Sequence, residues 1–93
     1  MSNRKYKSVD DYAGDPVKEF SDNIKPGVGF YVKQYKSLAF ETTIIIDQNL
    51  ADIKSLELNN WAPKKIDDKV IISHKTRNFP MPWVDMIVRE FVA

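Results

Sequence analysis

The clearest signal in the hydrophobic pattern is a run of β-branched residues near the middle of the chain. Five of them follow one another from Thr42 to Ile46. Such side chains are restricted at χ1 and suit a pleated surface. Because successive side chains of a strand point to opposite faces, the three adjacent isoleucines cannot share one side. The pattern therefore predicts a central strand over residues 40–47 that is at least partly covered on both faces.

Upstream of this strand, the spacing of apolar residues predicts a short helix over residues 16–24. Asp15 can cap such a helix, and Pro16 suits its first position. The apolar residues recur at helical spacing, and they are Val17, Phe20 and Ile24. The sequence Lys25-Pro26-Gly27 then ends the helix, because proline and glycine are unfavourable in a helix interior.

Residues 29–36 alternate as a strand does, and a turn connects them to the central strand. A register that pairs Tyr35 with Ala39 also pairs Lys33 with Glu41, which matches opposite charges. The register one residue away faces Glu41 with an apolar side chain, so we expect the first. It predicts a core face of Phe30, Val32, Phe40, Thr42, Ile44 and Ile46, and an opposite face of Tyr31, Lys33, Tyr35, Glu41 and Thr43.

Downstream of the central strand, the pattern predicts a helix and a third strand. Asn49 can cap a helix over residues 50–59, whose apolar residues follow helical spacing. Val70-Ile71-Ile72 then indicates a strand over residues 68–74. A strand–helix–strand unit of this length is usually a right-handed crossover between parallel strands. We therefore expect the central and third strands to run parallel.

Residues 82–92 fit two patterns. Trp83, Val84, Ile87, Val88 and Phe91 have the spacing of a helical face, and this favours a helix that Pro82 begins. Their valine and isoleucine content also suits a strand, so the alternative stays open. The expected fold is a small α+β domain of order α-β-β-α-β-α with a three-stranded mixed sheet. Residues 15–93 form this single globular domain, and residues 1–14 precede it as a flexible N-terminal segment.

Composition narrows the class of protein. The 14 basic and 13 acidic residues nearly cancel, so no general field attracts nucleic acid or anionic lipid. The absence of cysteine excludes a disulfide scaffold, a thiolate metal site and a cysteine nucleophile. No apolar run approaches the ~20 residues of a membrane helix, and no secretory signal is visible, so the sequence predicts a cytoplasmic protein without membrane association. The excess of lysine over arginine suits an AT-rich genome, such as that of a phage or a low-GC bacterium.

The search for catalytic chemistry finds no constellation. His74, the single histidine, has no carboxylate at a spacing that would orient it, and it lacks further ligands for a metal. Asp47 is the best-placed acid because it ends the central strand, but it also suits the start of the next helix. Gly27 and Gly29 precede a strand, whereas a phosphate loop precedes a helix. We therefore expect no catalytic residue, no cofactor and no metal.

Two groups of residues are candidates for binding a partner. The first is the aromatic and basic group Tyr31, Lys33, Tyr35 and Lys36, which could stack on bases or anchor a protein interface. The second comprises Phe79, Met81 and Trp83, which two prolines hold in an extended segment. The alternative for the second group is that its side chains simply pack onto the C-terminal helix.

The sequence thus favours a non-enzymatic interaction module that binds another protein, such as an accessory or inhibitory protein of a phage or bacterium. The alternative is a nucleic-acid-binding domain that uses the aromatic and basic face, with Lys64-Lys65 in addition. Glu41 opposite Lys33 would weaken the attraction of phosphates, so we rank protein binding first. Self-association into a homo-oligomer is compatible with either function.

Overall fold

The computed structural model describes residues 17–93, in which the chain forms five strands and two α-helices. The predicted flexible segment 1–14 and the predicted helix start at Asp15-Pro16 lie outside the described residues. The elements are β1 (Lys18–Lys25), β2 (Val28–Gln34), β3 (Phe40–Asp47), α1 (Ile53–Leu58), β4 (Lys64–Ile66), β5 (Lys69–Thr76) and α2 (Met81–Phe91), with a 3-10 turn over Gln48–Leu50 before α1.

All neighbouring strands of the described sheet are antiparallel, in the order β1-β2-β3-β5-β4. The expected three-stranded mixed sheet is therefore wrong. The structural reason is the hairpin of β4 and β5, which reverses the chain after α1. Strands β3 and β4 run in the same direction because each is antiparallel to β5. The crossover thus leads to β4, and β5 then returns between them and pairs with β3.

The predicted helix over residues 16–24 is also wrong, since Lys18–Lys25 forms strand β1 and pairs with β2 along its length. A helix of nine residues has little stability of its own in water. As a strand, the same segment gains a ladder of hydrogen bonds with β2, which an irregularity interrupts between Asn23 and Lys25. Tertiary pairing therefore outweighs the helical spacing of the three apolar residues.

The sequence Pro26-Gly27 connects β1 to β2 as a hairpin turn, rather than ending a helix. Gly27 has a φ of +82°, a conformation that glycine adopts without steric cost. Proline followed by glycine is the pair that a type II turn favours. The turn packs tightly, since a Cβ atom at Gly27 would lie 2.6 Å from Asp47 Oδ2.

The predicted register between β2 and β3 is confirmed. Lys33 pairs with Glu41, and Phe30 pairs with Ile44. At the turn, the backbone N–H of Tyr35 donates to the carbonyl oxygen of Ala39 at 3.0 Å. The residues predicted for the core face are buried, apart from Phe40, which is half-buried and packs against the core.

Both helices cover the same face of the sheet. The C-terminal segment is helical, as favoured, and its residues Trp83, Val84, Ile87 and Phe91 are buried. Leu56 is the buried residue of α1. The cap of this helix is Asp52, not the predicted Asn49, and the Asp52 side chain accepts a hydrogen bond from the Ser55 N–H. These residues complete a core with the inward residues of β2, β3 and β5, which are Val28, Phe30, Val32, Ile44, Ile46, Val70 and Ile72. No helix within residues 17–93 is long and apolar enough to cross a membrane.

Candidate functional site

The face of the sheet opposite the two helices is the candidate functional site, and we call it the open face. Strand alternation places every second residue there. From β1 to β5 these residues are Glu19, Ser21, Asn23, Gly29, Tyr31, Lys33, Glu41, Thr43, Ile45, Asp47, Lys69, Ile71, Ser73 and Lys75. The strand registers arrange them in four rows that run across the strands.

The first row of the open face consists of charged residues whose signs alternate. Glu19 pairs with Lys33, Lys33 pairs with Glu41, and Glu41 pairs with Lys75. Opposite charges that face each other across strands stabilise the pairing modestly. Because two acids and two bases cancel, this row has no net charge.

The second row consists of the hydroxyl residues Ser21, Tyr31, Thr43 and Ser73. Thr43 is only 7% exposed although it lies on the open face, whereas Tyr31 is 40% exposed. The Thr43 and Ser73 hydroxyl oxygens lie 3.1 Å apart in a hydrogen bond. This hydrogen bond satisfies the buried threonine, and Ser73 itself is exposed.

The third row carries the apolar centre of the open face. Gly29 pairs with Ile45, Ile45 with Ile71, and Ile71 with Lys64 of β4. Ile45 and Ile71 are half-buried. Gly29 has no side chain, so the sheet surface is hollow beside Ile45. An open groove of about 900 Å³ runs there between β1 and β3, lined by Ser21, Asn23, Gly29, Tyr31, Ile45 and Lys69 among others.

The fourth row ends the open face with an ion pair and an exposed isoleucine. Asp47 pairs with Lys69, and Lys69 with Ile66 of β4. Lys69 Nζ donates a hydrogen bond to Asp47 Oδ1, and this bond raises the pKa of Lys69 above its ordinary value. Asp47 is therefore occupied by a charge partner, which suits a structural role for this acid. Ile66 is 52% exposed and extends the apolar centre toward the sheet edge.

Three residues of the predicted aromatic and basic group lie at the open face, and the fourth, Lys36, is exposed in the turn. Tyr31 and Lys33 lie on the open face. Tyr35 and Lys36 follow β2 in the turn, and the Tyr35 hydroxyl donates to Glu41 Oε1 at 3.1 Å. Lys33 pairs in register with Glu19 on one side and with Glu41 on the other, so an acidic residue flanks it in each neighbouring strand.

The second predicted group is divided between surface and core. Phe79 is 56% exposed, and its ring contacts Phe40 edge-on with centroids 6.1 Å apart. Met81 is half-buried and packs against the core, and Trp83 is buried within it. These positions fit the packing alternative for this segment.

His74 lies on the helix-covered face within a cluster of aromatic rings. Its ring centroid is 5.2 Å from that of Trp61 and 5.0 Å from that of Trp83. Burial disfavours the charged imidazolium and so lowers the pKa of His74 below its ordinary value. The rings are too close together to admit a ligand between them. The buried Trp83 Nε1 has no hydrogen-bond partner among the described residues.

Among residues 17–93, no group of three or more His, Cys, Asp or Glu side chains is placed to hold a metal ion. Comparison of the chain with family models, with curated proteins and with solved structures found no significant match. Assignment of a site therefore depends on the geometry of the open face.

Sequence reasoning missed Ile45, Ile71 and Ser73 in the middle of this face and Ile66 at its edge. A signal for Ile45 was present, because three successive isoleucines require one of them to face away from the core. The signal for Ile66 and Ile71 was absent. Their position depends on the β4–β5 hairpin, which the sequence pattern did not reveal.

Proposed function

We propose that this chain is a non-enzymatic interaction module that binds protein through the open face of its sheet. The observation that supports it is the apolar centre of this face, where Ile45 and Ile71 are half-buried and Ile66 and Tyr31 are exposed. An apolar centre surrounded by polar residues is typical of protein interfaces. Tyrosine is also among the residues that contribute most to binding energy.

The arrangement of charge favours protein over nucleic acid as the partner. A phosphate backbone needs several lysines or arginines that are not already paired with carboxylates. Lys33 faces Glu19 and Glu41 across the strands, and Lys69 binds Asp47. Alternating charges around an apolar centre match the polar rim of a protein interface. An accessory or inhibitory role in a phage or bacterium stays a prediction.

The proposal is tested by cross-linking from the two faces of the protein. A photo-activated amino acid at Ser73 lies on the open face, and the same amino acid at Glu57 lies exposed on α1 as the matched control. In a lysate we expect protein adducts from position 73 and few from position 57. Adducts should be lost when Ile71→Asp is added. Equal labelling from both positions would contradict the proposal.

The proposal that the protein is not an enzyme has its own test. His74→Ala combined with Asp47→Asn removes both acid–base candidates that the sequence offers. We expect the same adducts from position 73 in this variant, provided that circular dichroism shows it folded. A salt titration separates the alternative function, because binding to nucleic acid would weaken steeply as salt increases.

A further inference from the structure

We infer that the occupant of the open face is a second copy of this chain, stacked sheet on sheet about a two-fold axis. This inference rests on the proposed function and names its partner. The axis runs parallel to the strands, between β2 and β3. Each row of the open face then lies over the same row of the second copy, with the order of its residues reversed.

The charged row carries the inference because it is complementary to itself. Its order is acid, base, acid, base from β1 to β5. Rotation about the axis sets Glu19 opposite the second copy's Lys75, and Lys33 opposite its Glu41. All four positions therefore meet the opposite charge. Only the two alternating orders of two acids and two bases meet opposite charges at every position without placing like charges side by side in the sheet.

The third row, which carries the apolar centre, supplies matching shapes. The same rotation sets Gly29 opposite Ile45 of the second copy, so the side chain of Ile45 meets the hollow beside Gly29. Each copy contributes one such hollow and one such isoleucine, as a two-fold interface requires. Burial of the isoleucines supplies most of the affinity, since exposed charge pairs mainly select the partner and its orientation.

The size of the face is adequate for a reversible dimer. The four overlaid strands, about 4.8 Å apart and up to eight residues long at ~3.4 Å each, give a flat footprint on the order of 500 Å². Side-chain relief raises the accessible area toward the ~800 Å² per partner of a standard interface. Because the charged row sums to zero, stacking two such rows produces no net repulsion.

Charge reversal tests the inference directly. Lys33→Glu with Lys75→Glu makes the row wholly acidic, and Glu19→Lys with Glu41→Lys makes it wholly basic. The control, Lys54→Glu with Arg89→Glu, makes the same change of net charge as the acidic variant but at exposed positions of the helices. Sedimentation from micromolar to millimolar concentration should show a dimer for the wild type and the control. Each row variant alone should associate at least about tenfold more weakly, and an equimolar mixture of the two should form heterodimers.

A second measurement needs no charge change, so it is independent of any folding defect in the row variants. The chain has no cysteine, so Ser21→Cys and Ser73→Cys each introduce a single thiol at an exposed position. In the stacked dimer, Ser21 lies opposite the second copy's Ser73 at the ~10 Å spacing of packed sheets. The two copies of Ser21 are separated by a further three strand spacings in the plane of the sheet, and so are the two copies of Ser73. A bis-maleimide of about 10 Å should join the two variants in a mixture, but should not join either variant to itself.

The inference is overturned if the wild type sediments as a monomer at every concentration, or if the row variants dimerise as strongly as the wild type. It is also overturned if the cysteine variants cross-link to themselves as readily as to each other. If adducts from position 73 then contain only other proteins, the binding surface stands and the second copy does not. If position 73 gives no adduct of any kind, the proposed function fails as well.

Discussion

The two faces of the central strands each carry isoleucine from the same run, but its surroundings differ between them. Ile44 and Ile45 are neighbours in β3, yet Ile44 is fully buried under the helices and Ile45 is half-buried on the open face. On the helix-covered face, apolar side chains meet other apolar side chains from α1 and α2. On the open face, they meet charged and hydroxyl residues in ordered rows. The comparison indicates that stability is concentrated on the helix-covered face, and the open face is the surface that we propose for recognition.

The largest expected effect comes from Ile44→Ala, which should lower the free energy of unfolding by roughly 2–5 kcal/mol, because it removes buried surface and leaves a cavity. Ile45→Ala is the matched control, with the same chemistry one residue away. It should lower the free energy by about 1 kcal/mol or less, since part of the side chain is already in water. Urea unfolding at low protein concentration measures both. Equal losses would mean that the two faces are equally covered, which would contradict the difference in burial between Ile44 and Ile45.

Substitution of Gly27 tests the hairpin turn between β1 and β2. Gly27→Ala should cost about 1–3 kcal/mol, because its φ is positive and the new Cβ would lie 2.6 Å from Asp47 Oδ2 and 2.8 Å from Leu50 Cδ1. Gly29→Ala is the control, with its nearest neighbour at 3.1 Å. Its cost should be smaller, and the same urea unfolding experiment compares them. A larger loss at Gly29 would contradict the hairpin turn described for Pro26-Gly27.

The hydrogen bond between Thr43 and Ser73 tests whether the open face contributes to stability through polar groups. A double-mutant cycle with Thr43→Val and Ser73→Ala should give a coupling energy of about 0.5–1.5 kcal/mol, as is usual for one hydrogen bond. Thermal or urea unfolding of the two single variants and the double variant provides the measurement. A coupling near zero would show that this hydrogen bond does not stabilise the fold.

The pH dependence of stability tests the burial of His74 on the helix-covered face, and we expect this effect to be the smallest. Because burial lowers the pKa of His74 in the folded protein, the unfolded chain binds a proton at a higher pH than the folded one does. Stability is therefore full above the ordinary histidine pKa of about 6.5 and declines as the pH falls through the folded value.

The measurement is the melting temperature between about pH 7.5 and 5.5, a range in which most carboxylates stay ionised. The His74→Gln variant should lose part of the pH dependence. An identical profile for wild type and variant would show that the Trp61–His74–Trp83 cluster does not penalise the charged imidazole.

Several features could be predicted from sequence because they depend on neighbouring residues. The register of β2 and β3 followed from matching Lys33 with Glu41 and Phe30 with Ile44, and this local pairing holds. The C-terminal helix followed from the 3.6-residue spacing of its apolar residues, which become its buried side. In both cases the residues that carry the pattern are also the residues that pack.

The segment from Val17 to Lys25 could not be predicted correctly, because its three apolar residues fit a helix and its partner strand lies outside the segment. A strand obtains its hydrogen bonds from another part of the chain, so its own sequence carries only half of the information. The three-residue strand β4 carried even less, with every residue exposed. Missing it led to the wrong expectation that β3 and β5 run parallel in a three-stranded mixed sheet.

By itself, the sequence determined which face of β2 and β3 is apolar, because alternation along a strand is a local property. It also determined that one isoleucine of the central run must leave the core. Tertiary structure alone decided that β5 returns between β3 and β4, and that residues from β1, β2, β3 and β5 align in rows. Those rows depend on registers between distant segments, and such registers are set by the pairing of whole strands rather than by the composition of any one of them.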